Sequence, residues 1–81
     1  MMTVTIEVNH LYNGTAKLAE LTEYEAEVER LAGNGNAIIL TGPGPVWLYL
    51  RIAHALHGKA MSLNYDSPVT GSVEIFNHCP W

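Results

Sequence analysis

The stretch RIAHALHGK holds two histidines three residues apart, His54 and His57. A carboxylate follows at Asp66, in the dipeptide YD, and a further histidine at His78. Residues i and i+3 share one face of a helix. In a helical stretch His54 and His57 therefore project together. Neutral imidazoles ligate zinc or manganese, and a carboxylate such as Asp66 would complete a mixed nitrogen and oxygen set. The competing reading is structural: one imidazole bonded to a backbone carbonyl in the core, the other facing the helix dipole at the C-terminus. His78 and His10 carry the same two readings. Asp66 either sits where open α/β sheets place ligands, at a strand's carboxyl end, or starts a turn ahead of Ser67-Pro68.

The second candidate is TGPGP, residues 41–45. Strand, glycine turn and helix in that order bring backbone N–H groups and a helix N-terminus to one point, which suits a phosphate. Gly42 and Gly44 let the backbone come close, because no Cβ intervenes. Pro43 and Pro45 each remove a donor. No Lys-Ser or Lys-Thr follows, so the loop is not a Walker motif. A stiff strand-to-helix turn is the alternative.

These residues need elements to hold them. TVTIEV, residues 3–8, alternates polar and apolar and predicts a half-buried strand. LYNGT is a turn. From Thr15 to Ala32 the apolar period becomes helical, and Thr22 with Glu25 makes a capping-box pattern that restarts the helix at Thr22. GNGN, residues 33–36, ends it. AIILT, residues 37–41, is a short apolar run and predicts a central strand covered on both faces. A helix is expected from Pro45 to about His57, closed by Gly58. AMSLNYD predicts a strand ending at Asp66, SPVTG a turn, and SVEIFN, residues 72–77, a last strand. The order β-α-β-α-β-β predicts one α/β domain over residues 1–81, with a mostly parallel sheet and a terminal hairpin. Trp47, Leu48, Leu50 and Ile52 are expected in the core or a dimer contact. Tyr49 packs in the core or stacks on a base.

Composition narrows the function. The chain has 81 residues, 48% of them hydrophobic and only 15% charged. That is much apolar surface for a small interior, and it predicts a symmetric dimer. The net charge is −4, with four basic residues in all, which argues against binding DNA by phosphate neutralisation. One cysteine, Cys79, allows no internal disulfide. The start of the chain has no signal-peptide pattern and no apolar run is long enough for a membrane span, so a cytoplasmic location is expected.

Residues 42–78 together resemble the small Csx-three family of CRISPR-associated proteins, the stand-alone ring nucleases. The resemblance is carried by GPGPVWLYLRIAHALH, then YD, then a Gly, SVEIFN and a His. The family pattern is Gly-Arg-Gly-Pro, a hydrophobic residue and Trp-Leu, then Ala-His-x-x-His, then Tyr-Asp-Pro-Arg. It covers a little under half the chain. It implies type III CRISPR antiviral signalling and a compact α/β fold distantly like nucleotide-sensing CARF and Rossmann domains. It also implies dimers that sandwich cyclic tetra-adenylate between two of them, Mn²⁺-dependent cleavage of that messenger, and removal of adenylates from the 3′ ends of single-stranded RNA.

By the same resemblance His57 and Asp66 are catalytic, and His54, His57 and Asp66 would hold the metal. Gly42, Gly44, Pro45, Trp47, His54 and His78 would contact substrate. Two family arginines are absent: Pro43 stands between the glycines, and Ser67-Pro68-Val69 follows Asp66. An arginine is a fixed cation suited to a reacting phosphate. Its loss favours a rival reading, a non-catalytic module that binds the cyclic nucleotide. A purely structural dimerisation domain is a third.

Overall fold

The computed structural model describes residues 1–79. A strand, Thr3–Glu7 (β1), leads through 3-10 turns at Val8–Leu11 and Leu18–Glu20 into a helix, Leu21–Ala32 (α1). Strand Ala37–Thr41 (β2), helix Val46–Leu56 (α2), and strands Ser62–Ser67 (β3) and Gly71–Asn77 (β4) follow. The strands form one mixed sheet in the order β1-β2-β3-β4. β1, β2 and β3 run parallel, and β4 returns antiparallel to β3. The fold is α/β, with four strands and two helices.

Burial follows the two periods. In β1 Ile6 is buried between exposed Thr5 and Glu7. In β2 Ile38 and Leu40 are buried, while Ala37, Ile39 and Thr41 are half-exposed. α1 buries Leu21, Tyr24, Val28 and Ala32, and α2 buries Leu48, Ile52 and Leu56, stripes spaced three to four residues apart. Two successive parallel crossovers of the usual right hand, stepping the same way across the sheet, put both helices on one face. They pack side by side there, and Arg51 Nε donates to Glu25 Oε2 across them at 3.3 Å. The sheet's other face carries no helix.

This corrects two expectations. β2 is covered on one face only; a continuous apolar run did not mean two-sided burial, because Ile39 looks out from the bare face. The strand order agrees with the expected mostly parallel sheet and terminal hairpin. The capping box is not used: α1 starts at Leu21 with Glu20 at its N-cap, and Thr22 lies inside the first turn. The chain instead enters α1 through the Tyr24 hydroxyl, which accepts from Lys17 N at 3.0 Å and donates to Glu20 Oε2 at 3.1 Å. α1 ends where Gly33 and Gly35 take positive φ, +65° and +69°.

The edge strand β4 is exposed along nearly all its length. A register shift opposite Leu63 and Asn64 leaves Ile75 outside the strand pairing. Val73 and Ile75 are 41% and 49% exposed, and across from them on α2 Val46 and Leu50 are 73% and 66% exposed. This apolar ridge flanks the glycine loop.

Candidate functional site

The carboxyl ends of β2 and β3 and the first turns of α2 enclose a cleft of about 740 Å³. Its rim is the loop Gly42–Gly44 on one side and Asp66–Pro68 on the other, and Tyr49 and Tyr65 form part of its wall. The cleft lies at the carboxyl ends of two parallel strands, and its volume is that of an ordinary small-molecule site. Thr41 Oγ1 donates to the Asp66 carbonyl at 3.1 Å and ties the two rims together. No lysine or arginine lines the cleft.

The loop itself is held by two tyrosines, one in the cleft wall and one beyond it. Tyr49 Oη donates to the Gly42 carbonyl, and Tyr12 Oη donates to the Pro43 carbonyl at 3.2 Å. Gly42 has φ +96°, a region that L side chains rarely enter, and a Cβ there would collide with Asn9 Oδ1. Pro45 is extended (φ −69°, ψ 149°) and acts as the N-cap of α2, one place outside the expected helix start. Leu48 N and Tyr49 N both donate to the Pro45 carbonyl, at 3.1 and 3.3 Å. Trp47 is half-buried and packs against the core.

Tyr49 also touches Tyr65 edge-on, with ring centroids 5.0 Å apart. Burial pushes the Tyr49 phenol up to about 12, and the neighbouring phenols of Tyr65 and Tyr12 add to the shift. A raised pKa favours the neutral phenol, so this contribution to stability is fully present below the ordinary tyrosine pKa of about 10. It is lost as pH rises towards about 12. Urea unfolding followed across that range is expected to show a falling midpoint in the wild-type protein. Tyr49→Phe, which has no phenol to ionise, should show a smaller fall. Parallel curves for the two proteins would contradict this.

The histidines lie elsewhere. His78 N donates to the Met61 carbonyl at 2.8 Å, just before β3 begins. The His78 ring is 4.9 Å from the His57 ring, and Phe76 contacts both, with centroids 5.0 Å away. His57 caps the end of α2, and its N donates to the His54 carbonyl at 3.3 Å. Lys59 sits nearby in the turn and donates to Asn34 Oδ1 at 3.2 Å. These groups gather at the amino end of β3. Asp66 is four residues further along that strand, which at about 3.3 Å per residue is roughly 13 Å. Asn77, beside His78, pairs with Ser62, whereas Asp66 pairs with Ser72 near the opposite end of the strand.

One chain therefore brings Gly42, Gly44, Pro45 and Asp66 together at one end of the sheet, and His57 and His78 at the other. His54 is exposed one turn before the helix end. Among the described residues no group of three or more histidine, cysteine, aspartate or glutamate side chains is placed to hold a metal ion. The expected metal set of His54, His57 and Asp66 is thus not a single-chain centre, because β3 carries the carboxylate away from the imidazoles. His10 is a surface group whose Nδ1 lies 3.2 Å from Glu7 Oε2. No helix among the described residues is long and apolar enough to cross a membrane.

Sequence reasoning missed Tyr12 and Tyr49 as holders of the loop. A signal for Tyr49 existed. Side chains of a helix lean towards its N-terminus, so a tyrosine four residues after Pro45 reaches back to the preceding turn. Nothing comparable marks Tyr12, which lies 31 residues from Pro43.

No curated protein and no solved structure matches the chain. A family model described as CRISPR-associated protein (Cas_csx3) matches residues 14–81.

Proposed function

The chain belongs to the Cas_csx3 family of CRISPR-associated proteins, and from that premise we propose that it binds cyclic tetra-adenylate and opens the ring at a phosphodiester bond. The observation that carries this reading is the cleft at the carboxyl edge of β2 and β3, where Gly42, Gly44 and Asp66 meet. Apolar and aromatic walls suit adenine, and the glycine loop and the start of α2 suit its phosphate.

The reacting groups come from two copies. The cleft of one copy holds the ring beside Asp66, and another copy delivers His57, with His78 and Lys59 close to it. The imidazole takes the proton of the attacking oxygen, a ribose 2′-OH or a water, as that oxygen bonds to phosphorus, and the 5′ oxygen leaves as a hydroxyl with a proton from solvent. Imidazole titrates near neutrality and suits this role. Lys59 can offset charge on the phosphate where the family's arginines are absent. Among the described residues of one chain no group of three fits a metal centre. RNA 3′ ends carry the same bond type and are a second substrate class for the same groups.

The apolar patch of Val46, Leu50, Val73 and Ile75, three of which also line the cleft, supports self-association. Its exposure on so small a domain favours a homodimer, with a ligand-bridged pair of dimers beyond it. The rival reading, binding without cleavage, is favoured by the cleft's lack of a lysine or arginine.

Labelled cyclic tetra-adenylate, incubated with the protein with and without Mn²⁺, separates the readings. Linear products that disappear with His57→Ala are expected. A ligand that binds and stays intact in both arms supports the sequestering module, and no binding at all removes both.

A further inference from the structure

We propose that Tyr12 and Tyr49 are positioning residues of the nucleotide site: their hydroxyls hold the Pro43 and Gly42 carbonyls so that the Gly44 amide faces the bound phosphate. This rests on the reading of the cleft given above.

The geometry begins with the loop's composition. Pro43 and Pro45 have no N–H. Strictly between Gly42 and Val46, Gly44 alone can offer an amide to a ligand. That N–H shares a planar peptide with the Pro43 carbonyl, and in a trans peptide the two point in opposite directions. The carbonyl accepts from Tyr12 Oη. Tyr12 does not line the cleft, whereas Pro43 and Gly44 do. With the carbonyl turned away to Tyr12, the amide is turned towards the cleft.

The preceding peptide is also fixed by a hydroxyl, here from a residue of the cleft wall. Tyr49 Oη takes the Gly42 carbonyl, and Tyr65 braces the Tyr49 ring from the side. Both carbonyls are thereby satisfied by phenols and kept from presenting negative dipoles to an anion. Behind the loop Asn9 and Val8 fill the space at Gly42 and Gly44 so closely that a Cβ at either would meet them. The loop is thus backed on one side, hydrogen-bonded at two successive carbonyls, and open on the side of the cleft. A loop ordered before the ligand arrives binds more tightly, because the ordering cost is already met.

Tyr12→Phe, Tyr49→Phe and the double variant test this. Phe keeps each ring and removes only the hydroxyl. The Gly42 and Gly44 amide signals are followed by ¹H–¹⁵N NMR without ligand, and the Kd for cyclic tetra-adenylate is measured well below the unfolding temperature. In the double variant the Gly44 signal is expected to broaden or split while core signals stay in place. If the competent loop conformation falls to about a tenth, Kd rises about tenfold. A purely structural role would lower the unfolding temperature and leave the Kd of the folded protein unchanged. If the double variant does not fold, the single variants carry the same two readouts. An unchanged Gly44 signal, or an unchanged Kd where the wild type binds, overturns the proposal. Wild-type protein that does not bind cyclic tetra-adenylate overturns the proposed function instead. The Gly44 signal then decides by itself whether the hydroxyls order the loop.

Discussion

Equal mixing of His57→Ala protein with Asp66→Ala protein is expected to restore ring cleavage that neither variant shows alone. The reason is the length of β3. His57 packs on His78 beside Met61, before the strand begins, and Asp66 stands near the strand's far end. The amino end of β3 and Asp66 are roughly 13 Å apart along the strand, so the two groups lie towards opposite ends of it within a chain. On the proposed reading a competent site would pair the His57 end of one copy with the Asp66 end of another. His57→Ala leaves the second end intact and Asp66→Ala the first. With random exchange about a quarter of the composite sites receive both wild-type ends. A double variant, His57→Ala with Asp66→Ala, should rescue neither single variant. Activity of the wild type should also climb more steeply than linearly with protein concentration. A mixture as inactive as its components, under conditions where the wild type cleaves, would exclude a composite site.

The same strand explains why the residue types were easier to read than their placement. His57 and Asp66 are nine residues apart in the sequence, and that closeness suggests one site. A short turn followed by an extended strand converts it into distance, because a strand covers ground more than twice as fast as a helix. The elements themselves were legible. Alternation in TVTIE, the four-residue spacing of Leu48, Ile52 and Leu56, and the glycine punctuation at 33–36 each reflect a local rule, and each element formed near its expected bounds. The bare face of the sheet was hidden for a different reason. Ile39 is apolar in both arrangements, and only the direction of the crossovers decides whether a second layer covers it. The sequence left Leu50 to the core or a dimer contact, and only its position on the far side of the helix from Ile52 makes it 66% exposed. Gly42 and Gly44 were marked by their type, but the tyrosines that hold the loop are brought there by tertiary structure.

Ile52→Ala is expected to remove a large part of the stability and, with it, both ends of the site. Helix α2 connects them: the glycine loop and Tyr49 lie at its start and His57 at its end. Its buried face is Leu48, Ile52 and Leu56, each fully enclosed. Truncating such a residue costs about 2–5 kcal/mol, from lost burial and the cavity left behind. A domain of 81 residues holds only about 4–12 kcal/mol in total at typical values per residue. The loss is thus comparable with the whole, and the urea midpoint should fall steeply or the transition vanish. Leu50→Ala on the exposed side is the matched control. It should leave the monomer's stability nearly unchanged and weaken self-association, read by sedimentation at several concentrations. Ligand adds a second measurement, because binding to the folded state alone contributes about 2.7 kcal/mol at a hundred times Kd. Cyclic tetra-adenylate should therefore recover part of the Ile52→Ala loss, and the recovery should shrink in Tyr12→Phe/Tyr49→Phe protein carrying the same core change. An Ile52→Ala protein with the wild-type midpoint would mean that α2 is not the rod from which the two ends hang.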